Sequence, residues 1–235
     1  MELTENDIDE WIKPYATIIG EKGNIDEKLR KSNPPKYFLR STLPDNFQEY
    51  AIALHSYWIN YNIPKNEIKE NQNEQLEISE DDYTRINWPE FYEFKNINFD
   101  FNEAILASVE WKRPFEKQLN NELYPAEGSM DIKHLQDLVE IVTEFYGNQE
   151  IELFFIIYAT NNWKKDLRYK GEINGLLELL DGKNIRLTPS LIYPTEKNWV
   201  INTDYDLSFT SIGGESKFIS ELVKRNKNEI FRVAY

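Results

Sequence analysis

The stretch at residues 200–212, VINTDYDLSFTSI, decides the class of fold that the sequence predicts. Two sets of side chains alternate along it. The first set is Ile201, Thr203, Tyr205, Leu207 and Phe209, and the second is Asn202, Asp204, Asp206, Ser208 and Thr210. A period of two, with apolar residues in one set, predicts a β-strand that buries one face. Gly213 and Gly214 then predict a tight turn, and residues 215–224 predict a helix.

Further strands are predicted on either side of this stretch. They lie at 51–59, 151–159, 176–180, 185–193 and 229–235, with Asp181-Gly182 as a hairpin turn. Residues 131–146 predict the clearest helix, residues 88–94 a helix or turn, and residues 101–109 a short helix or strand. Short turns between strands, with the helices segregated from them, predict an α+β fold with a mostly antiparallel sheet.

The first 35 residues predict a helical arm that packs on the main body. Apolar residues recur at helical spacing over 5–19, where Pro14 predicts a kink, and residues 20–36 predict a loop. Residues 62–85 predict an exposed acidic loop, because seven acids and one lysine lie between Asn66 and Asp82. A length of 235 residues is compatible with a single α+β domain over 1–235.

Composition and charge disfavour several classes of function. The chain has no cysteine, which excludes disulfide scaffolds, thiol nucleophiles and thiolate metal sites. Its 41 Asp and Glu against 27 Lys and Arg give a net charge of −14, which disfavours binding to nucleic acid and to anionic membranes. The charge favours a basic protein as partner, with simple solubility as the alternative explanation. An acidic N-terminus and the absence of a long apolar run predict a cytoplasmic protein.

Asp204 and Asp206 are the first candidates for chemistry. They lie two residues apart on a predicted strand, so their carboxylates would project from one face. Such a pair could bind Mg²⁺ or Ca²⁺, or act as acid and base. The alternative is a solvated polar face. The sequence names no third oxygen ligand, so no metal site is predicted.

The two histidines and the aromatic residues give further candidates. His55 is a weak catalytic candidate, with a hydrogen-bonded core histidine as the alternative, and His134 is expected at a helix boundary. The chain contains no G-x-S-x-G, H-E-x-x-H or phosphate-loop motif, so no catalytic set and no cofactor are predicted. Tyr193, Trp199 and Asp206 are the binding candidates, because tyrosine and tryptophan are enriched at interfaces.

Several strings resemble a widespread group of bacterial proteins that has no assigned activity. The most specific are Tyr193-Pro194, Trp199-Val200, Thr203-Asp204-Tyr205-Asp206 and Thr210-x-x-Gly213-Gly214. Weaker matches are Leu43-Pro44-x-x-Phe47-x-x-Tyr50, Arg85-Ile86-Asn87-Trp88-Pro89-Glu90 and Pro125-Ala126-Glu127-Gly128. The resemblance covers residues 40–235 and implies one bacterial cytoplasmic unit with its sheet near the C-terminus. It implies no catalytic role, and Ser56 departs from the proline usual in the group.

Three hypotheses for the function follow. The first is a non-enzymatic, protein-binding role of immunity or regulatory type, based on the acidic charge, the aromatic content and the missing catalytic motifs. The second is a metal-dependent enzyme that uses Asp204 and Asp206. The third is small-ligand binding in an aromatic cleft, which requires a concave and largely apolar pocket.

Overall fold

The computed structural model describes residues 1–22, 26–70, 82–109, 118–161, 163–182 and 184–235. Within these ranges the chain forms eleven strands and seven α-helices. The strands are β1 (Glu2–Leu3), β2 (Glu49–Leu54), β3 (Tyr57–Ile59), β4 (Thr84–Ile86), β5 (Glu122–Leu123), β6 (Glu150–Phe155), β7 (Leu167–Glu172), β8 (Leu191–Pro194), β9 (Trp199–Asn202), β10 (Phe209–Gly214) and β11 (Ile230–Val233). The helices are α1 (Glu27–Ser32), α2 (Pro34–Thr42), α3 (Trp88–Phe94), α4 (Phe101–Ala107), α5 (Ile132–Tyr146), α6 (Leu176–Leu180) and α7 (Ser216–Arg225).

Eight of the strands form one sheet in the order β1-β7-β6-β8-β9-β10-β2-β11. The remaining three form a smaller sheet in the order β4-β3-β5. Neighbouring strands pair antiparallel in both sheets. The predicted α+β fold with a mostly antiparallel sheet is therefore confirmed.

The large sheet separates two hydrophobic cores, because alternate residues of a strand point to opposite faces. On β2, Ile52 and Leu54 belong to the first core, which α2, α3 and α4 complete. Ala51 and Ala53, on the other face of the same strand, belong to the second core with α5, α6 and α7. The central strands are consequently buried on both faces.

The stretch 200–212 is a hairpin, so the prediction of one continuous strand is wrong. Its two ends belong to β9 and β10, which pair with Ser211 opposite Asn202, and residues 203–208 connect them. The turn forms because Asp204 bonds locally: its side chain accepts the N–H of Asp206 and its carbonyl accepts that of Leu207. Such local bonds compete with the ladder of a sheet.

Gly213 and Gly214 lie inside β10, so the predicted tight turn at this position is wrong. A Cβ added to Gly213 would lie 2.7 Å from the Phe47 ring, and one added to Gly214 would lie 2.7 Å from the Phe218 ring. The glycines therefore allow aromatic rings to pack directly on the strand backbone from both faces of the sheet.

The N-terminal arm is built differently from the prediction. Residues 5–19 do not form the predicted α-helix: Pro14 lies in the 3-10 turn Lys13–Tyr15, and a second 3-10 turn covers Ile19–Glu21. The segment 20–36, predicted as a loop, contains α1 and the start of α2. Asn33 caps α2 by accepting the N–H of Lys36, and Pro34 suits the first helical position, where no N–H is needed.

Two other predictions need correction. Residues 176–180 form α6 rather than a strand, so Asp181-Gly182 follows a helix and is not a hairpin turn. Of the acidic loop predicted over 62–85, residues 71–81 lie outside the described residues, while 84–86 form β4.

The helices predicted at 131–146 and 215–224 are confirmed as α5 and α7. None of the described helices is long and apolar enough to cross a membrane.

Candidate functional site

Asp204 is buried in the loop between β9 and β10, and does not lie on the face of a strand. Its Oδ2 accepts the N–H of Ile19 at 2.7 Å, and its Oδ1 accepts that of Asp206 at 3.0 Å. Burial raises the pKa of Asp204 to about 6, and these two hydrogen bonds offset that effect only in part. The carboxylate thus holds the N-terminal arm against the hairpin loop.

Asp206 is partly exposed beside the same arm. A Cβ added to Gly20 would lie 2.6 Å from its Oδ2, so the arm passes directly over this carboxylate. The described residues contain no group of three or more His, Asp or Glu side chains that could hold a metal ion. The prediction that both carboxylates project from one strand face is wrong, because the chain turns between β9 and β10.

His55 lies in the connection between β2 and β3 and is fully buried. Its Nδ1 lies 2.6 Å from the carbonyl oxygen of Ala126, and its Nε2 lies 2.9 Å from Oγ1 of Thr210. A carbonyl only accepts, so Nδ1 carries the proton and Nε2 accepts from the hydroxyl. Burial lowers the pKa of His55 to about 4. The ring is therefore neutral and bonded through both nitrogens, as in the core-histidine interpretation.

The aromatic binding candidates are buried. Trp199 packs 6.0 Å from Phe218, measured between ring centroids, and its Nε1 donates to Gln149 at 3.0 Å. Tyr193 donates its hydroxyl hydrogen to Glu152 at 3.1 Å, and its ring meets Trp11 of the arm edge to face. Trp199 therefore supports α7, and Tyr193 supports the arm.

A set of charged and polar residues that the sequence did not reveal meets at the start of α5. We call Ser56, Arg85, Asp131, His134 and Glu229 the Arg85 network. Arg85 donates from Nε and Nη2 to Oδ2 of Asp131 at 3.2 and 2.7 Å, and from Nη1 and Nη2 to Glu229 at 3.1 and 2.5 Å. The Ser56 hydroxyl donates to the same Oδ2 at 2.6 Å. The network ties β4, α5, the β2–β3 connection and the start of β11 together.

Both carboxylates of the network stay ionised at neutral pH. Burial alone would raise the pKa of Glu229, but hydrogen bonds from His134 and Arg85 outweigh it and hold that pKa far below its usual range. The pKa of Asp131 is also lowered: burial opposes this, and the nearby histidines, the Ser56 hydroxyl and Arg85 cause it. Asp131 immediately precedes α5 but does not cap it, because its side chain bonds to Ser56 and Arg85 instead.

His134 and Glu229 form a carboxylate–imidazole pair. Nε2 of His134 lies 2.6 Å from Oε2 of Glu229, so this nitrogen carries a proton, and the buried Nδ1 has no hydrogen-bond partner among the described residues. A carboxylate that orients an imidazole is also found in general bases. Here the imidazole is fully buried, so a substrate atom has no access to Nδ1 and the pair has a structural role.

A half-open cleft of about 220 Å³ borders the Arg85 network at Asp131. One wall is the small sheet, where Trp58 of β3 is in register with Leu123 of β5. The opposite wall is the segment that leads into α5. The residues that line the cleft are Trp58, Tyr83, Leu123, Ala126, Ser129, Met130, Asp131 and Ile132. Ile132 is 51% exposed at the rim of the cleft. The lining is mostly apolar, and Asp131 is the one carboxylate in it.

Residues 67–70, which begin the acidic segment, are held near this cleft by contacts that run through Asn120 to Tyr83. The Tyr83 hydroxyl donates to the carbonyl of Asn120 at 3.2 Å. Asn120 in turn bonds Lys69 through backbone and side chain, at 3.0 and 3.1 Å, and donates to the carbonyl of Glu67 at 3.2 Å. The acids around Glu67 therefore lie on the side of the cleft that Tyr83 forms.

The chain matches no protein-family model, no curated protein and no solved structure. The resemblance to a bacterial group therefore stays a prediction. The candidate site is identified from the geometry of its residues alone. Only a weak signal in the sequence pointed to the Arg85 network: Arg85 opens one of the weaker matching strings, and Asp131 stands where α5 was predicted to begin.

Proposed function

We propose that the protein is a non-enzymatic, cytoplasmic binding module of immunity or regulatory type, and that it binds a basic protein at the cleft. The observation that carries the proposal is the cleft itself, a concave apolar surface with an exposed isoleucine and an acidic flank. Partly exposed apolar side chains in a concave site are what a partner needs to bury.

The state of the titratable groups supports binding rather than catalysis. The side chains of Asp204, His55, Asp131 and Glu229 are all engaged in hydrogen bonds within the fold. A general base or nucleophile must reach the substrate atom on which it acts. The groups that line the cleft are instead mostly apolar, with one carboxylate, Asp131, that bonds to Ser56 and Arg85 within the fold.

The size of the cleft favours a side chain of a protein over a free ligand. Pockets for small ligands and cofactors commonly span about 300 to 1,000 Å³, whereas this cleft has about 220 Å³ and is open to solvent on one side. One or two inserted side chains would fill it, and the surrounding surface would form the rest of the interface.

The charge of the molecule supports a basic partner. The net charge is −14, and acids at Glu67, Glu70 and Asp82 lie on the segment that leads to the cleft. Complementary charge speeds association, and salt weakens that effect. The expected interface is apolar at its centre and acidic at its rim.

Affinity capture from host lysate with matched variants tests the proposal. We expect a basic protein in stoichiometric amount at about 50 mM NaCl and a clear loss at about 500 mM NaCl. Ile132→Lys should reduce its capture at least about tenfold, because it removes apolar area and adds a repelling charge. Ile97→Lys is the control, since Ile97 is similarly exposed but does not line the cleft. Capture that ignores both salt and Ile132→Lys would disprove the proposal, as would no capture.

A further inference from the structure

We infer that the cleft binds a single cationic side chain, lysine or arginine, whose apolar stem packs on Trp58 and Ile132 and whose charged end binds Oδ1 of Asp131. The inference rests on the proposed function, because it names the chemical group that the partner inserts. Three features of the cleft lead to it: the acceptor capacity of Asp131, the local balance of charge and the aromatic walls.

The two oxygens of Asp131 are used unequally. Oδ2 accepts from Nε and Nη2 of Arg85, from the Ser56 hydroxyl and from the Ser56 N–H, the last at 3.1 Å. Within the described part of the chain, Oδ1 accepts only the Ser56 N–H, at 3.2 Å. A carboxylate oxygen has two acceptor positions. Asp131 lines the cleft and its side chain is 10% exposed. The inferred donor takes the remaining position on Oδ1.

Asp131 shares its guanidinium partner with a second carboxylate, so Arg85 neutralises it only in part. Arg85 is shared between Asp131 and Glu229, so one positive charge faces two negative ones. Lys133 is nearby, 3.9 Å from Glu229, but it also pairs with Asp137 at 3.3 Å. Glu67 and Asp82, which are described on the Tyr83 side of the cleft, have the same sign as Asp131.

The walls of the cleft suit a long side chain that is apolar along its length. Trp58 and Leu123 form one wall, and Met130 and Ile132 form the other. Lysine and arginine bury their methylene stems on such surfaces and keep the charged end at a polar group. A cation beside the Trp58 or Tyr83 ring is also attracted by the ring face. An acidic side chain would find the same stem contacts but would face Asp131.

A titration of the ¹⁵N-labelled protein with four small probes tests the inference. The probes are n-butylammonium, n-butylguanidinium, 1-butanol and butyrate, and the readout is the amide shifts of residues 129–133. We expect both cations to bind at least about tenfold more tightly than 1-butanol, because a charge-assisted hydrogen bond adds to the shared stem contact. Butyrate should bind most weakly.

The variant Asp131→Asn should bring the cations to the affinity of 1-butanol. If this variant does not fold, the ranking of the four probes on the wild-type protein decides alone. Equal affinity for butanol and the cations, preference for butyrate, or no binding by any probe would each overturn the inference.

The lysate experiment separates the two proposals. A captured partner that depends on Ile132, with no preference for cationic probes, would leave the proposed function standing and remove the inference. Cation-selective binding with an empty capture would keep the chemistry of the cleft and remove the proposed function.

Discussion

The side chain of Asp204 is buried and that of Glu229 is 13% exposed, yet their surroundings shift the two carboxyl pKa values in opposite directions. Asp204 accepts two backbone N–H groups and its pKa is raised to about 6, because burial dominates. Glu229 contacts a guanidinium and an imidazole, and its pKa is lowered. The hydrogen-bonding and charged partners of each carboxylate, and not burial alone, therefore decide whether its pKa is raised or lowered, and so how the unfolding free energy changes with pH.

Asp204 should make the protein gain stability as the pH falls below neutral. Its folded-state pKa of about 6 lies above the ordinary value, so its contribution is complete below about pH 4 and is lost as the pH rises through 6. Between about pH 8 and pH 5, we expect wild type to gain about 1 kcal/mol of unfolding free energy relative to Asp204→Asn. Urea unfolding at each pH measures the gap. If the unfolding free energy of wild type minus that of Asp204→Asn stays constant or decreases as the pH falls, this prediction is wrong.

Glu229→Gln should destabilise the fold and show the opposite pH dependence. The variant leaves Arg85 with one carboxylate in a largely buried site, which should cost about 2 to 3 kcal/mol at neutral pH. The pKa of Glu229 is lowered, so its contribution is present above its unfolded pKa and is lost as the pH falls. The difference from wild type should therefore shrink in acid.

Thermal or urea unfolding of Glu229→Gln and of Glu10→Gln gives a matched comparison. Glu10 pairs with Lys13, but its side chain is 87% exposed, so its loss should leave stability unchanged. Equal effects of the two substitutions would show that the Arg85 network contributes no more than a surface pair.

At the scale of the elements, the backbone of β10 is pressed between aromatic side chains on both faces. Phe47 contacts Gly213 from the first core, and Phe218 of α7 contacts Gly214 from the second. No side chain fits between the strand and these rings. Gly214 therefore sets how closely α7 approaches the large sheet, and Gly213 sets how closely Phe47 approaches it from the other face.

Gly214→Ala should destabilise the protein by about 1 to 3 kcal/mol, because the added methyl group overpacks a site that has no free volume. Its Cβ would lie 2.7 Å from the fully buried Phe218. Gly175→Ala is the control, since its Cβ meets nothing closer than 3.5 Å. Adding Phe218→Leu should recover part of the loss. Equal melting temperatures for the two alanine variants would contradict the packing argument.

Several elements could be predicted from the sequence, and others could not for identifiable reasons. The helix α5 was predictable, because its apolar stripe and Gly147 are local signals. The arm was not, because its apolar residues Ile8, Trp11 and Tyr15 pack on the first core without forming a helix. The hairpin loop could not be predicted because the two sets of side chains go on alternating through residues 203–208, as they do in the strands on either side.

At the scale of the whole molecule, the two cores share the strands of the large sheet. Neither core is complete without the sheet, and the Arg85 network ties the small sheet to α5 and β11. This organisation places the cleft between the small sheet and the start of α5, where two parts of the fold meet.

The whole chain should unfold in one cooperative transition. Loss of either core would expose one face of strands such as β2, which are buried on both sides, so partial unfolding is costly. We expect urea midpoints from tryptophan fluorescence and from far-ultraviolet circular dichroism to agree within about 0.2 M. Two separated transitions would show that the arm or the small sheet unfolds independently.

The sequence by itself determined the fold class, the helices α5 and α7, the acidic charge and the lack of a catalytic motif. These follow from composition and from periodicity over short windows, which depend on local backbone geometry. Only the tertiary structure decided the roles of Asp204, Tyr193 and Trp199, and only it revealed the Arg85 network and the cleft. The residues of the Arg85 network are as distant in the sequence as Ser56 and Glu229. Contacts between residues so far apart in the sequence depend on how the strands are ordered in the sheets.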